Sequence, residues 1–204
     1  MGKTWAGVCL ILLACMGTAA AARGQELSYA DKERAMQYLE STKKNIVDAT
    51  KGLSTAQWSF KSAPDRWSVA EVMEHIAAAE DLLRGMIVEK AMKAPPEPGR
   101  DLKKTDDAVV AMIPDRSHKL QAPEPLKPTN RYGSPEGAVK HFLDSRAQTE
   151  EFLNSTPDLR QHVSESPMGM KLDAYEWILF LTAHSERHLK QIQEVRADAN
   201  FPKA

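Results

Sequence analysis

Apolar residues return at steps of three and four along four stretches of this 204-residue chain, the spacing of helices with one buried face. Between Ser28 and about Lys51 the positions are Ala35, Leu39, Ile46 and Ala49, with Met36 and Val47 beside them; Gly52 then stands where a helix would stop. A second run opens at Ser68-Val69-Ala70-Glu71, whose hydroxyl and carboxylate are spaced as a capping box, and continues through Val72, Met73, Ile76, Ala79, Leu82, Leu83, Met86 and Ile87 to about Met92. The third starts at Ser134-Pro135-Glu136, a cap followed by proline at the first helical position, and carries Val139, Phe142, Leu143, Thr149, Phe152 and Leu153. The fourth starts at Asp173 with Glu176 three residues on and runs to about Asp198, before Asn200 and Pro202.

The connections differ in kind. Leu53 to Trp67 is polar apart from Trp58, Phe60 and Trp67, aromatics that could line a pocket or seal one end of the bundle. Residues 93–133 contain Pro95, Pro96, Pro98, Pro114, Pro123, Pro125 and Pro128, with one helical patch near Asp101 to Met112. A connection this long reads as a lid or a crossover. A crossover between parallel helices must travel back some 35 Å for a helix of about two dozen residues, which these residues can span. Asn154 to Met170 reads as loop. With no strong strand signal, the expected fold is all-α: a four-helix bundle with a long Pro-rich crossover between its second and third helices, occupying residues 23–204.

Composition adds an address. Lys3 precedes an apolar run from Trp5 to Met16 and then Gly17-Thr18-Ala19-Ala20-Ala21-Ala22, the pattern of a secretory signal peptide over 1–22 with cleavage after Ala22. An uncleaved anchor and a lipoprotein-like cut before Cys15 are the alternatives. The expected location is therefore exported, periplasmic or extracellular, with lipid anchoring through Cys15 as the variant reading. Cys9 and Cys15 both fall in the leader, so cleavage after Ala22 would leave no cysteine for a disulfide, a thiolate ligand or a nucleophile. It would also take Lys3 from the 27 basic residues, leaving 26 against 28 acidic ones. No basic stripe with interleaved aromatics occurs, which argues against nucleic acid as a partner. Nothing points to a membrane surface once the leader is gone, unless the chain is lipidated.

The candidate chemistry lies in the fourth helix. His184 and His188 are four apart, about 40° around the axis and one turn along it, so both rings can reach one ion. They fall on the apolar line Trp177, Leu181, His184, His188, Ile192, Val195, where imidazoles are costly without partners. His75 shares a stripe with Val72, Ala79, Leu82 and Met86 and is the candidate third ligand. His118 and His162 read as solvent-exposed and His141 as a boundary residue. Three imidazoles leave a coordination position open, as in catalytic zinc sites, and suit nickel, copper and iron as well. Each ligand needs a partner on its other nitrogen, for which Glu71, Glu80, Ser185 and Glu186 are the candidates. No glycine-rich phosphate loop, GxSxG turn or HExxH motif is present.

Two of these stretches resemble a known family. WSVAEVMEHIAAAEDLL, residues 67–83, is similar to the second helix of the DinB/YfiT-like four-helix proteins, and LFLTAHSERHLKQIQEV, residues 179–195, to their last. The likeness covers roughly residues 29 to 202 and puts His75, His184 and His188 on the family's three metal positions. It implies a divalent ion, zinc or nickel, on those histidines. It also implies activities seen among such proteins: metal-dependent hydrolysis, or transfer and isomerisation using low-molecular-weight thiols. Those thiols are cytosolic, whereas the leader predicts export. The expected function is thus an exported metal-dependent hydrolase or transferase acting on a small molecule. The alternatives are a non-catalytic metal-binding or interaction bundle, with a homodimer as one form of it, and a metal-free bundle with satisfied core histidines.

Overall fold

A computed structural model describes residues 26–203. The predicted leader and both cysteines lie outside the described residues. Four long helices make the bundle: α1 (Tyr29–Thr50), α3 (Val69–Glu89), α5 (Pro135–Ser155) and α6 (Ala174–Arg196). Two shorter ones, α2 (Thr55–Ser59) and α4 (Leu102–Met112), sit in the connections. The caps read from the sequence are all formed. Ser68 with Glu71 and Asp173 with Glu176 complete reciprocal capping boxes, and Ser134 accepts from the Gly137 amide ahead of α5.

Contacts fix the helix directions. Tyr175 donates to the Asp31 carbonyl, Tyr38 to Glu186, and Arg196 to the Ala49 carbonyl, so α1 and α6 run the same way. Ala70 and Glu74 share a cavity with Ala138, while further along both helices Asp81 meets Ser145 and Glu80 meets Arg146 and Thr149. Helices α3 and α5 are therefore parallel, and residues 93–133 form the crossover that parallel neighbours require. It contains α4, which packs Val109 and Ile113 into the core, and a single 3₁₀ turn at Glu124–Leu126.

The interior has two large apolar blocks with a polar layer between them, and a small third cluster of Ala78, Ala79 and Leu126. One block holds Leu39, Leu83, Ile87, Leu153, Trp177 and Leu181; the other holds Ile46, Val72, Met73, Ile76, Phe142, Leu189 and Ile192. In the gap, Arg146 (0 % exposed) grips both carboxylate oxygens of Glu80 (1 %) at 2.7 and 2.9 Å, and also meets the Leu39 carbonyl, Thr42 and Ser185. All four bundle helices contribute to this layer, and every one of those donors has an acceptor, as a buried charge demands.

Three expectations need correction. Leu82 is 39 % exposed rather than on the buried stripe of α3, a helix packed chiefly against α5 and α6. The stretch read as loop contains a small antiparallel hairpin, β1 (Val163–Glu165) with β2 (Lys171–Asp173), turned at Gly169 in the left-handed region at φ 74°. Three-residue strands are too short for alternation to show. His162 is half-buried, held between the Ala94 carbonyl and Asp158. His118 is exposed, and His141, bonded to Asp81 and stacked on Tyr132, is a boundary residue as expected.

Candidate metal centre

The three predicted histidines meet. Nε2 of His75 on α3 lies 3.3 Å from Nε2 of His184 and 3.1 Å from Nε2 of His188 on α6. Among the described residues, this is the one group of three or more His, Cys, Asp or Glu side chains whose ligand atoms all come within 4.8 Å of one another. The fold brings them together because α3 and α6 are antiparallel neighbours and His75 stands opposite the one-turn pair. His75 is buried, whereas His184 and His188 keep partial access to solvent.

Their outward nitrogens settle which face of each ring is bare. His75 Nδ1 is 2.9 Å from the Leu126 carbonyl, which can only accept, so Nδ1 carries the proton. His188 Nδ1 is 2.9 Å from Gln191 Oε1, an oxygen that also faces an Arg116 N–H at 3.4 Å. Both rings therefore turn unprotonated Nε2 lone pairs toward each other at 3.1 Å. Two such lone pairs repel unless a cation lies between them. An ion about 2.0–2.1 Å from each imidazole nitrogen in a tetrahedral set separates those nitrogens by about 3.3 Å. The observed separations fit that requirement.

Proton affinities run the same way. Burial, reinforced by the neighbouring imidazoles, pulls His184 down to about 3 and His188 well below the usual histidine value; burial also lowers His75. All three rings are neutral at pH 7, which is the ligating form.

The partners proposed from sequence lie elsewhere. Glu71 accepts from the Ser68 amide and Lys61; Glu80 is taken by Arg146, as is Ser185; Glu186 accepts from Tyr38 at 2.5 Å. The groups that do hold the outward nitrogens of His75 and His188 are the Leu126 carbonyl and Gln191. A backbone carbonyl leaves no trace in side-chain chemistry, but Gln191 is three residues after His188, a spacing that puts it within reach on a helix. Trp67, left open between pocket wall and plug, lies with its ring 5.0 Å from that of His75, whereas Trp58 is a packed plug. The cavity of about 320 Å³ beside α3 is lined by Ala70, Glu74, Asn130 and Tyr132 among others, and by none of the three histidines.

A four-helix chain with a crossover between parallel central helices and a facing three-histidine cluster defines a class of helical bundle whose histidines could hold a metal ion. The chain belongs to the DinB superfamily, whose model matches residues 38–192. It is 27 % identical over 150 residues to the uncharacterised protein YuaE of Bacillus subtilis strain 168, an alignment covering 72 % of this chain and 87 % of YuaE. Its fold is similar to that of YfiT from Bacillus subtilis, described as a probable metal-dependent hydrolase with an unusual four-helix bundle topology. That match has a TM-score of 0.52 at 15 % identity and covers 83 % of this chain and 88 % of YfiT.

Proposed function

We propose that this protein is a metal-dependent hydrolase or transferase acting on a small molecule, with His75, His184 and His188 holding a divalent ion, zinc or nickel. The observation that carries this reading is the facing of unprotonated Nε2 atoms at 3.1 Å, each fixed in that state by an acceptor on its Nδ1. When bound, such an ion supplies Lewis acidity and an open coordination position. The residues around it do the rest: Leu126 and Gln191 keep the ring protons pointing outward, burial keeps the rings neutral, and Trp67 walls one side of His75. The description of YfiT as a probable metal-dependent hydrolase supports the same class.

A second reading, a non-catalytic metal-binding bundle, is favoured by one feature. The acids near the centre are already committed: Glu71 to a helix cap, Glu74 to the amides of residues 129–131, Glu80 to Arg146 and Glu186 to Tyr38. Metal analysis of the purified protein and of His188→Ala tests the ligands: about one ion per chain is expected in the first and a loss in the second, and stoichiometric metal in the variant contradicts the assignment. A screen of hydrolase and thiol-transfer substrates with the metal-loaded protein then separates the two readings, turnover that vanishes in His188→Ala identifying the enzyme. The leader makes this an exported protein in the same proposal, and mass spectrometry of the mature N-terminus distinguishes Arg23 from a lipidated Cys15 or an intact start.

A further inference from the structure

The crossover touches the metal centre at two points, each anchored by a side chain with no contact to the ligand atoms. The first anchor is Glu74, beside His75 on α3 and 7 % exposed. Its carboxylate accepts from three successive backbone amides, Thr129 at 2.7 Å, Asn130 at 2.8 Å and Arg131 at 3.2 Å, and from Arg131 Nε at 3.1 Å. Asn130 takes a left-handed backbone, φ 61°, which turns consecutive N–H groups into one concave cradle around an anion. Arg131 then reaches back to the Pro125 and Lys127 carbonyls, at 2.8 and 2.6 Å, and closes the turn that contains Leu126. That turn aims the Leu126 carbonyl at His75 Nδ1. The second anchor is Gln191, whose Oε1 accepts from His188 Nδ1 and meets Arg116 of the crossover, itself held in a two-bond pair by Glu194 at 2.7 Å on each side.

We propose that Glu74 and Gln191 are positioning residues of the metal centre, and that through them the docked crossover sets the affinity of the site for its ion. Neither touches the ion; each acts by holding an acceptor on the Nδ1 of a ligating histidine. The proposal rests on the metal reading above and adds the direction of control. By reciprocity, an ion that binds more tightly when residues 126–131 are docked must in turn hold those residues in place.

The test is a zinc titration against a competing chromophoric chelator for the wild type, Gln191→Leu, Gln191→Glu and Glu74→Gln, with cobalt spectra of each. Gln191→Leu, which removes the acceptor, should bind zinc about 10–100-fold more weakly, the range for losing such a partner. Gln191→Glu restores an acceptor and should bind at least as tightly as the wild type. Glu74→Gln should also bind about 10–100-fold more weakly and lose the zinc-induced protection of the amides of Leu126, Lys127, Thr129, Asn130 and Arg131 from hydrogen exchange. Wild-type affinity in Gln191→Leu, or equal losses in the Leu and Glu variants, overturns positioning by Gln191 while leaving the ligands intact. A wild-type protein that binds no zinc or cobalt instead overturns the metal centre itself. Should Glu74→Gln fail to fold, the Gln191 pair still decides between acceptor and packing, and hydrogen exchange on the wild type with and without zinc decides whether 126–131 responds.

Discussion

Glu176 shows what one side chain carries in this interior. It is fully buried at the third position of α6, and its Oε2 accepts from the Asp173 amide and from Arg100, both at 2.7 Å. Its Oε1 finds no hydrogen-bond partner. Burial first, then the adjacent Asp173 carboxylate, push its pKa up to about 7. The folded state thus holds a proton on Glu176 that the unfolded chain releases above about 4.5. The stability from this group is fully present below about pH 4.5 and is lost as pH rises through about 7. Glu176→Gln stays neutral throughout, keeps an oxygen for the Asp173 amide and weakens the tie to Arg100. The Tm of this variant minus that of the wild type should therefore be higher at pH 8 than at pH 5 by calorimetry; a difference that does not move with pH would contradict the assignment.

At the scale of elements, the polar layer matters more than any single apolar contact. Arg146 draws α1, α3 and α6 onto α5, and its partner Glu80 is equally out of reach of water. Arg146→Ala leaves the Glu80 carboxylate buried with only Thr149 beside it. Removing one member of such a pair costs about 3–5 kcal/mol, and that loss should appear in urea unfolding. Replacing both by apolar residues of similar volume should restore most of the stability. This layer was not legible in the sequence. Glu80 and Arg146 occur where a solvated charge would also fit, and only the packing of four helices shows that both face inward. The helices themselves were legible to within a few residues, because the caps at Ser68, Ser134 and Asp173 mark where free amides need acceptors. The hairpin was not, since its register depends on β1 finding β2 rather than on any pattern within three residues.

In the whole molecule, the crossover links fold to site. Parallel α3 and α5 force the chain to travel back along the bundle, and the return path passes over α6. There Arg187 binds the Ile113, Asp115 and His118 carbonyls, and Arg116 binds Glu194. The same path brings the Leu126 carbonyl onto His75. The meeting of the three histidines could be read from the sequence because a pair one turn apart on an apolar line needs an explanation that solvation cannot give. What holds them was legible only in part: a carbonyl from a proline-rich segment carries no signature, whereas Gln191, three residues after His188, lies within reach of it on a helix.

The convergence of three neutral imidazoles on one ion is tested most directly by crystals of the zinc-loaded protein measured on both sides of the zinc absorption edge. The expected result is one anomalous peak about 2.0–2.1 Å from Nε2 of His75, His184 and His188 alike. A map with no peak between α3 and α6, or with zinc bound only at surface residues, would contradict it.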